Sequence, residues 1–143
     1  MRLGIKLLNC DGDVNKFKEV RTLDLRRGET ATVYFALVDL ATGNRFVPTS
    51  TSTVQITIPR SIIQQGTIGD QRQRLNPTIT RAAVKPFSGD WSIWSFPLVS
   101  NDTCSMVSGG IQVNLTDTNV QPNTVLKAAL DMAFKVHNGE DVS

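Results

Sequence analysis

His137 is the sole histidine of the 143-residue chain. A zinc site needs three or four Cys, His or carboxylate ligands at close spacing, and a nucleophile needs a base within reach. The two cysteines, Cys10 and Cys104, stand in no metal-ligand spacing. Cys104 and His137 form the one conceivable Cys–His couple, and no local motif surrounds either residue. His137 therefore reads as a surface residue beside a polar tail. Asp11-Gly12-Asp13-Val14-Asn15 places oxygen ligands at alternate positions, as calcium loops do, but Lys16 stands where such a loop needs glycine and Thr22 where it needs a bidentate Glu. A turn held by Asp side chains accounts for it. Gly109-Gly110 is followed by no Lys-Ser/Thr and no helix, so it is not a phosphate loop. Asp24, Asp39, Asp90 and Asp117 could supply a carboxylate pair for glycoside hydrolysis. All four fall in or near turns, where Asp is favoured for its own bonds to the backbone. Trp91 and Trp94 remain, with rings able to stack on sugars, fill a core or anchor an interface. No catalytic, cofactor-binding or metal-ligating residue is expected, and the chain does not read as an enzyme.

Composition narrows the class. With 40% hydrophobic and 20% charged residues, the chain has enough apolar surface to offset its ordering entropy. Its length suits one domain, residues 1–143. No apolar run reaches the roughly 20 residues of a membrane span. Residues 1–9 hold only a broken apolar stretch and no small-residue cleavage site, so no signal peptide is expected. A cytoplasmic origin predicts free thiols. The net charge of +2 is spread thinly, densest at Arg21, Arg26 and Arg27, and leaves no footprint for nucleic acid or an anionic membrane.

Strand signals dominate. Residues 20–25, a turn at Arg26-Arg27-Gly28-Glu29 and residues 30–38 form the clearest predicted strand pair, with Ala31, Val33, Phe35 and Leu37 on one buried face. Gly43 and Asn44 supply turn chemistry, and a short return strand at 45–47 stops at Pro48. Residues 54–58 alternate again. Residues 61–77 form a long Gln-, Arg- and Gly-rich irregular segment, either a contact to a neighbouring subunit or a solvated loop. A strand at 78–84, a turn at 86–90 and a strand at 91–98 follow. In the last, Trp94, Phe96 and Leu98 lie on one side and Trp91, Ile93 and Ser95 on the other, which predicts a central strand or a face covered by a partner. Residues 101–110 read as loop and 111–115 as strand. Residues 125–136 fit two periods: Leu126, Ala128, Leu130, Met132, Phe134 and Val136 alternate, while Leu126, Ala129, Leu130, Ala133 and Phe134 share a helical face. Six period-two matches favour strand. Residues 1–10, with Leu3, Ile5 and Leu7, are either the first strand or an arm given to another subunit, and the polar tail 137–143 is expected to fray. The expected architecture is all-β: a single antiparallel β-sandwich, immunoglobulin-like or jelly-roll-like, of about seven or eight strands.

The run Leu23-Asp24-Leu25-Arg26-Arg27-Gly28-Glu29-Thr30-Ala31-Thr32-Val33-Tyr34-Phe35-Ala36-Leu37-Val38-Asp39, followed by Thr42-Gly43-Asn44-Arg45-Phe46, resembles the opening hairpin of small β-sandwich proteins of tailed-phage particles. The family it resembles is the N-terminal domain of phage upper baseplate proteins. Gly109-Gly110-Ile111-Gln112-Val113-Asn114-Leu115-Thr116-Asp117 is similar to a strand near the end of such domains. Residues 61–77 have no counterpart there, and proteins of that family usually continue past one domain. A head decoration protein or a small adaptor therefore stands beside the baseplate reading. The resemblance implies a bacteriophage virion protein, made in the host cytoplasm, with no catalytic residue.

The expected function is cementing. A rigid body offers strand edges and apolar anchors to repeated neighbours, and symmetry multiplies weak contacts. The candidate anchors are Phe46, Ile68, Arg72, Arg74, Leu75, Phe87, Trp91 and Trp94. Expected partners are capsid or tail subunits and further copies of the chain in a homo-oligomer or symmetric array, with no cofactor, nucleic acid or membrane. The alternative is a carbohydrate-binding, host-recognition module, which predicts aromatics exposed on one concave face.

Overall fold

Alternating apolar residues become strands in two sheets. The computed structural model describes residues 2–10, 17–47, 52–59, 78–86, 92–106, 108–117 and 124–137. Its elements are β1 (Leu3–Cys10), β2 (Phe17–Val20), β3 (Leu23–Arg26), β4 (Ala31–Asp39), β5 (Ser52–Pro59), β6 (Thr78–Ala83), β7 (Ile93–Leu98), α1 (Ser100–Ser105), β8 (Gly109–Asp117) and β9 (Thr124–His137). One sheet runs β2-β1-β4-β7 and the other β3-β9-β8-β5-β6. Nine strands are thus present among the described residues, where seven or eight were expected.

Period two decides what is buried. Leu3, Ile5 and Leu7 of β1, Val54, Ile56 and Ile58 of β5, and Ile111, Val113 and Leu115 of β8 all enter one apolar cluster fed by both sheets. Its largest members are Trp94, Phe35, Phe96 and Phe134. Phe35 and Phe96 meet edge-on at 5.9 Å. Each such side chain contributes roughly 1.5–3 kcal/mol by leaving water.

The first sheet is apolar on its other face too. Leu8, Ala36 and Ile93 are buried there with Phe17 and Tyr34 packed against them, the two rings 5.3 Å apart. This is the two-faced burial expected of the 91–98 segment. The strand is not central, however: β7 lies at the end of its sheet. A bridge between Val84 and Ser95 ties it to the chain leaving β6.

Other expectations are corrected by partner choice. The predicted pair 20–25 with 30–38 does not form. The first segment splits into β2 and β3, and β4 is already flanked by β1 and β7. No edge of β4 remains for β3, which pairs with β9 instead. That pairing is parallel, against the all-antiparallel expectation. No tight turn joins β3 to β9, so nothing forces them to run oppositely. Gly28, at φ 86°, makes the turn that carries the chain from one sheet to the other. Residues 45–47 give one bridge, Val38 to Arg45, rather than a strand. Residues 100–105 are helix inside a predicted loop. Residues 3–10 take the first-strand alternative: β1 sits between β2 and β4.

The segment 125–136 is strand throughout, but its alternation breaks. Gly109 pairs with Phe134 and Ile111 with Leu130, a register shift that bulges β9. Met132, expected inward, is 63% exposed, while Ala133 is buried. Gly110 permits this, because a Cβ there would stand 2.6 Å from the Leu130 carbonyl oxygen.

Candidate functional site

Two short strands leave two longer ones uncovered. β2 pairs with Leu7 to Cys10 of β1 only. β3 pairs with Phe134 to His137 of β9 only. The Arg2 carbonyl accepts from the Leu40 amide, so alternation turns the backbone of Leu3 and Ile5 away from β4, to the side that β2 pairs only from Leu7 onward. Among the described residues no strand pairs with 124–133 of β9 on the side away from β8.

Between these open stretches lies a groove of about 790 Å3. Ile5, Lys6 and Glu19 line one wall, and Leu130, Asp131 and Met132 the other. Lys6 and Glu19 form an exposed ion pair at 3.1 Å, which contributes little in water. Thr22 donates its hydroxyl to the Met132 carbonyl oxygen at 2.8 Å, which holds the bulge against the link between β2 and β3. A smaller hollow of about 260 Å3 beside Gly109 and Gly110 shares the β9 wall. The groove offers apolar side chains and strand backbone that no described strand pairs, which suits an extended peptide better than a reacting small molecule.

The residues with chemical potential go elsewhere. His137 Nε2 lies 3.1 Å from Asp24 Oδ1, alongside the paired ends of β3 and β9. Cys104 is an exposed free thiol, and no hydrogen bond joins it to His137. Its carbonyl accepts from the Arg27 guanidinium at 3.2 Å. Asp39 holds its own turn, accepting from the Ala41 amide at 2.9 Å. Among the described residues no group of three or more His, Cys, Asp or Glu is placed to hold a metal ion, and no helix is long and apolar enough to cross a membrane.

The expected anchors fare unequally. Trp94 is 1% exposed and sits opposite Phe35 in the ladder, with Lys85 Nζ 5.5 Å from its ring centroid. It is a core residue, because the inward face of β7 meets the second sheet. Its indole nitrogen has no hydrogen-bond partner among the described residues. Phe46 is half-buried against the main cluster. Ile68, Arg72, Arg74, Leu75, Phe87 and Trp91 lie outside the described residues, as do the 11–15 loop, Asp90 and the tail beyond His137.

Sequence reasoning missed the surface that does stand open. The alternation puts Met132 in the core, and the stretch of β9 that no described strand pairs has no sequence signal of its own. Gly109-Gly110 inside a strand was the one available hint, since glycine there often marks a bulge or a close backbone approach. It also missed Asp102 and Thr103. Asp102 accepts from Arg81 at 2.6 and 2.8 Å and from the Val99 amide at 2.9 Å. Thr103 is fully buried, accepts from the Gly28 amide at 3.0 Å and donates to the Glu29 carbonyl at 2.9 Å. Together they fasten α1 to β6 and to the β3–β4 turn. No protein-family model matches this chain, and no curated protein is significantly similar to it.

Proposed function

We propose that this chain is a non-catalytic structural protein, a β-sandwich of immunoglobulin-like or jelly-roll-like kind, that cements neighbouring protein subunits. The observation that carries the reading is the groove flanked by stretches of β1 and β9 that no described strand pairs, with Ile5, Leu130 and Met132 along it. Such edges bind by strand addition, in which main-chain bonds give affinity and alternate side chains give selectivity. The resemblance of residues 23–46 to phage particle proteins supports a bacteriophage virion as the setting, in the capsid shell or the tail. The chain is expected to co-sediment with purified phage particles, and its gene to lie among capsid, portal or tail genes. A chain absent from intact particles and flanked by unrelated genes overturns this reading.

A second reading, binding of a neutral glycan, has one observation behind it. The outward positions of the second sheet are rich in uncharged hydrogen-bonding groups: Thr53 and Gln55 of β5, Thr80 of β6, and Gln112 of β8 are all exposed. The burial of Trp94 removes one of its two expected stacking platforms. A glycan array separates the two readings.

A further inference from the structure

The outward face of the second sheet is a grid whose rows the strand registers fix. Ala129, Gln112, Thr57 and Thr80 stand side by side across β9, β8, β5 and β6. Lys127, Asn114, Gln55 and Ala82 make the next row, and Val125, Thr116 and Thr53 the third. All are exposed or half-buried, and no side-chain bond within the chain engages them among the described residues. On β8, β5 and β6 these positions carry amides, hydroxyls and one methyl, with no charge among them. A soluble surface usually carries roughly 25–35% charged residues. The short strands β2 and β3 keep to that pattern, with Lys18, Glu19, Asp24 and Arg26 exposed. Rows lie about 6.6 Å apart and strands about 4.8 Å apart, so the patch measures roughly 13 Å by 14 Å. Its first row ends at the hollow of about 260 Å3, where Gln112 and Asp131 stand beside Ala129 and Met132. The bulge requires glycine at 110, and with no side chain on Gly109 or Gly110 the hollow stays open.

We infer that this face binds a neutral oligosaccharide, with one sugar in the hollow beside Gln112 and Asp131 and the following ones over Thr57, Asn114 and Gln55. This rests on the second, glycan reading above and gives it a place and a class. Small-molecule sites combine apolar lining with a few placed polar groups, and a sugar ring presents both hydroxyls and C–H faces to such a lining. Charge sets the class. The Asp131 carboxylate repels an acidic sugar in the hollow, whereas a neutral hydroxyl donates to it. Amides and hydroxyls both donate and accept, so they match sugar hydroxyls of either orientation, and Lys127 donates to a hydroxyl as readily as to an anion. Length follows from weakness. Each of these bonds replaces one made to water and gains little alone, so a chain that spans the hollow and the rows is held where a monosaccharide is not.

The test is binding of the full chain to neutral oligosaccharides cut from glucans, mannans, galactans and xylans, with oligogalacturonate as the acidic counterpart. At least one neutral series is expected to bind, its hexamer about tenfold or more tighter than its monomer, and oligogalacturonate is expected not to bind. Gln112→Ala and Asp131→Ala are each expected to weaken binding of that hexamer about tenfold. Their unfolding midpoints are expected to stay at the wild-type value, because both side chains are exposed. Lys18→Ala, on the first sheet, is expected to bind as wild type. The side-chain amide NMR signals of Gln55, Gln112 and Asn114 are expected to shift on titration with the hexamer. Failure of every neutral oligosaccharide to bind overturns the glycan reading and this inference with it. Binding that Gln112→Ala and Asp131→Ala leave intact, or that shifts none of those amide signals, overturns this placement alone. A preference for oligogalacturonate overturns the neutral class.

Discussion

Replacing Arg81 by Met leaves the Asp102 carboxylate facing a gap where two charge-assisted hydrogen bonds had been. The side chain of Asp102 is 7% exposed and that of Arg81 34%, so the carboxylate is the member that cannot reach water. The Val99 amide still donates to it. Breaking a buried pair from one side costs about 3–5 kcal/mol, and the partial exposure of Arg81 argues for the lower end, about 3 kcal/mol. Asp102→Asn keeps the bond from Val99 and frees a guanidinium that can turn to solvent. Its cost is expected near 2 kcal/mol, within the range for one charged hydrogen bond. The Arg81→Met, Asp102→Asn double variant leaves neither charge stranded and should cost about 2 kcal/mol, giving a coupling of about 3 kcal/mol. Urea unfolding followed by tryptophan fluorescence measures all three, and the midpoint should move at constant slope. The pair also holds β6 to the helix after β7, next to the reciprocal bonds between Val84 and Ser95. Exchange of those two amides is therefore expected to quicken in Arg81→Met. A cost for Arg81→Met below about 1 kcal/mol, the range of an exposed ion pair, or additive single costs, refutes the assignment of Asp102 as a buried clasp.

Two further substitutions probe the same end of the fold and the bulge. Gly110→Ala drives a methyl to 2.6 Å from the Leu130 carbonyl oxygen, a backbone atom that cannot swing aside. A loss of about 1–3 kcal/mol is expected by analogy with overpacking, read as a lower urea midpoint, and an unchanged midpoint refutes the close approach. Thr103→Val keeps the shape and removes a hydroxyl that serves the Gly28 amide and the Glu29 carbonyl. A cost of about 1–3 kcal/mol is expected from the groups left unpaired. Thermal unfolding checks it, and a melting temperature equal to wild type counts against the fastening of α1 to the β3–β4 turn.

Local pattern was enough to say which side chains turn inward. Leu3, Ile5 and Leu7, or Ile111, Val113 and Leu115, alternate because a pleated chain presents successive residues to opposite faces, and burial sorts them. The same rule foretold strand rather than helix at 125–136 and apolar residues on both faces of β7. It did not settle which strand meets which, and the expected pairing of 20–25 with 30–38 fails, because every backbone offers the same donors and acceptors. Only the assembled sheets decide that β4 is occupied on both sides, that β3 must turn to β9, and that it does so in parallel. The bulge that expels Met132 depends on Gly110 meeting Leu130 across a ladder, a contact between residues 20 positions apart in the chain. The six-residue α1 is too short to show a period, and its clasp joins Arg81 to Asp102 across the space between β6 and β7. The unpaired stretch of β9 is likewise a product of length mismatch: β3 pairs only with its end, and no property of residues 124–133 themselves records that no described strand pairs with them there.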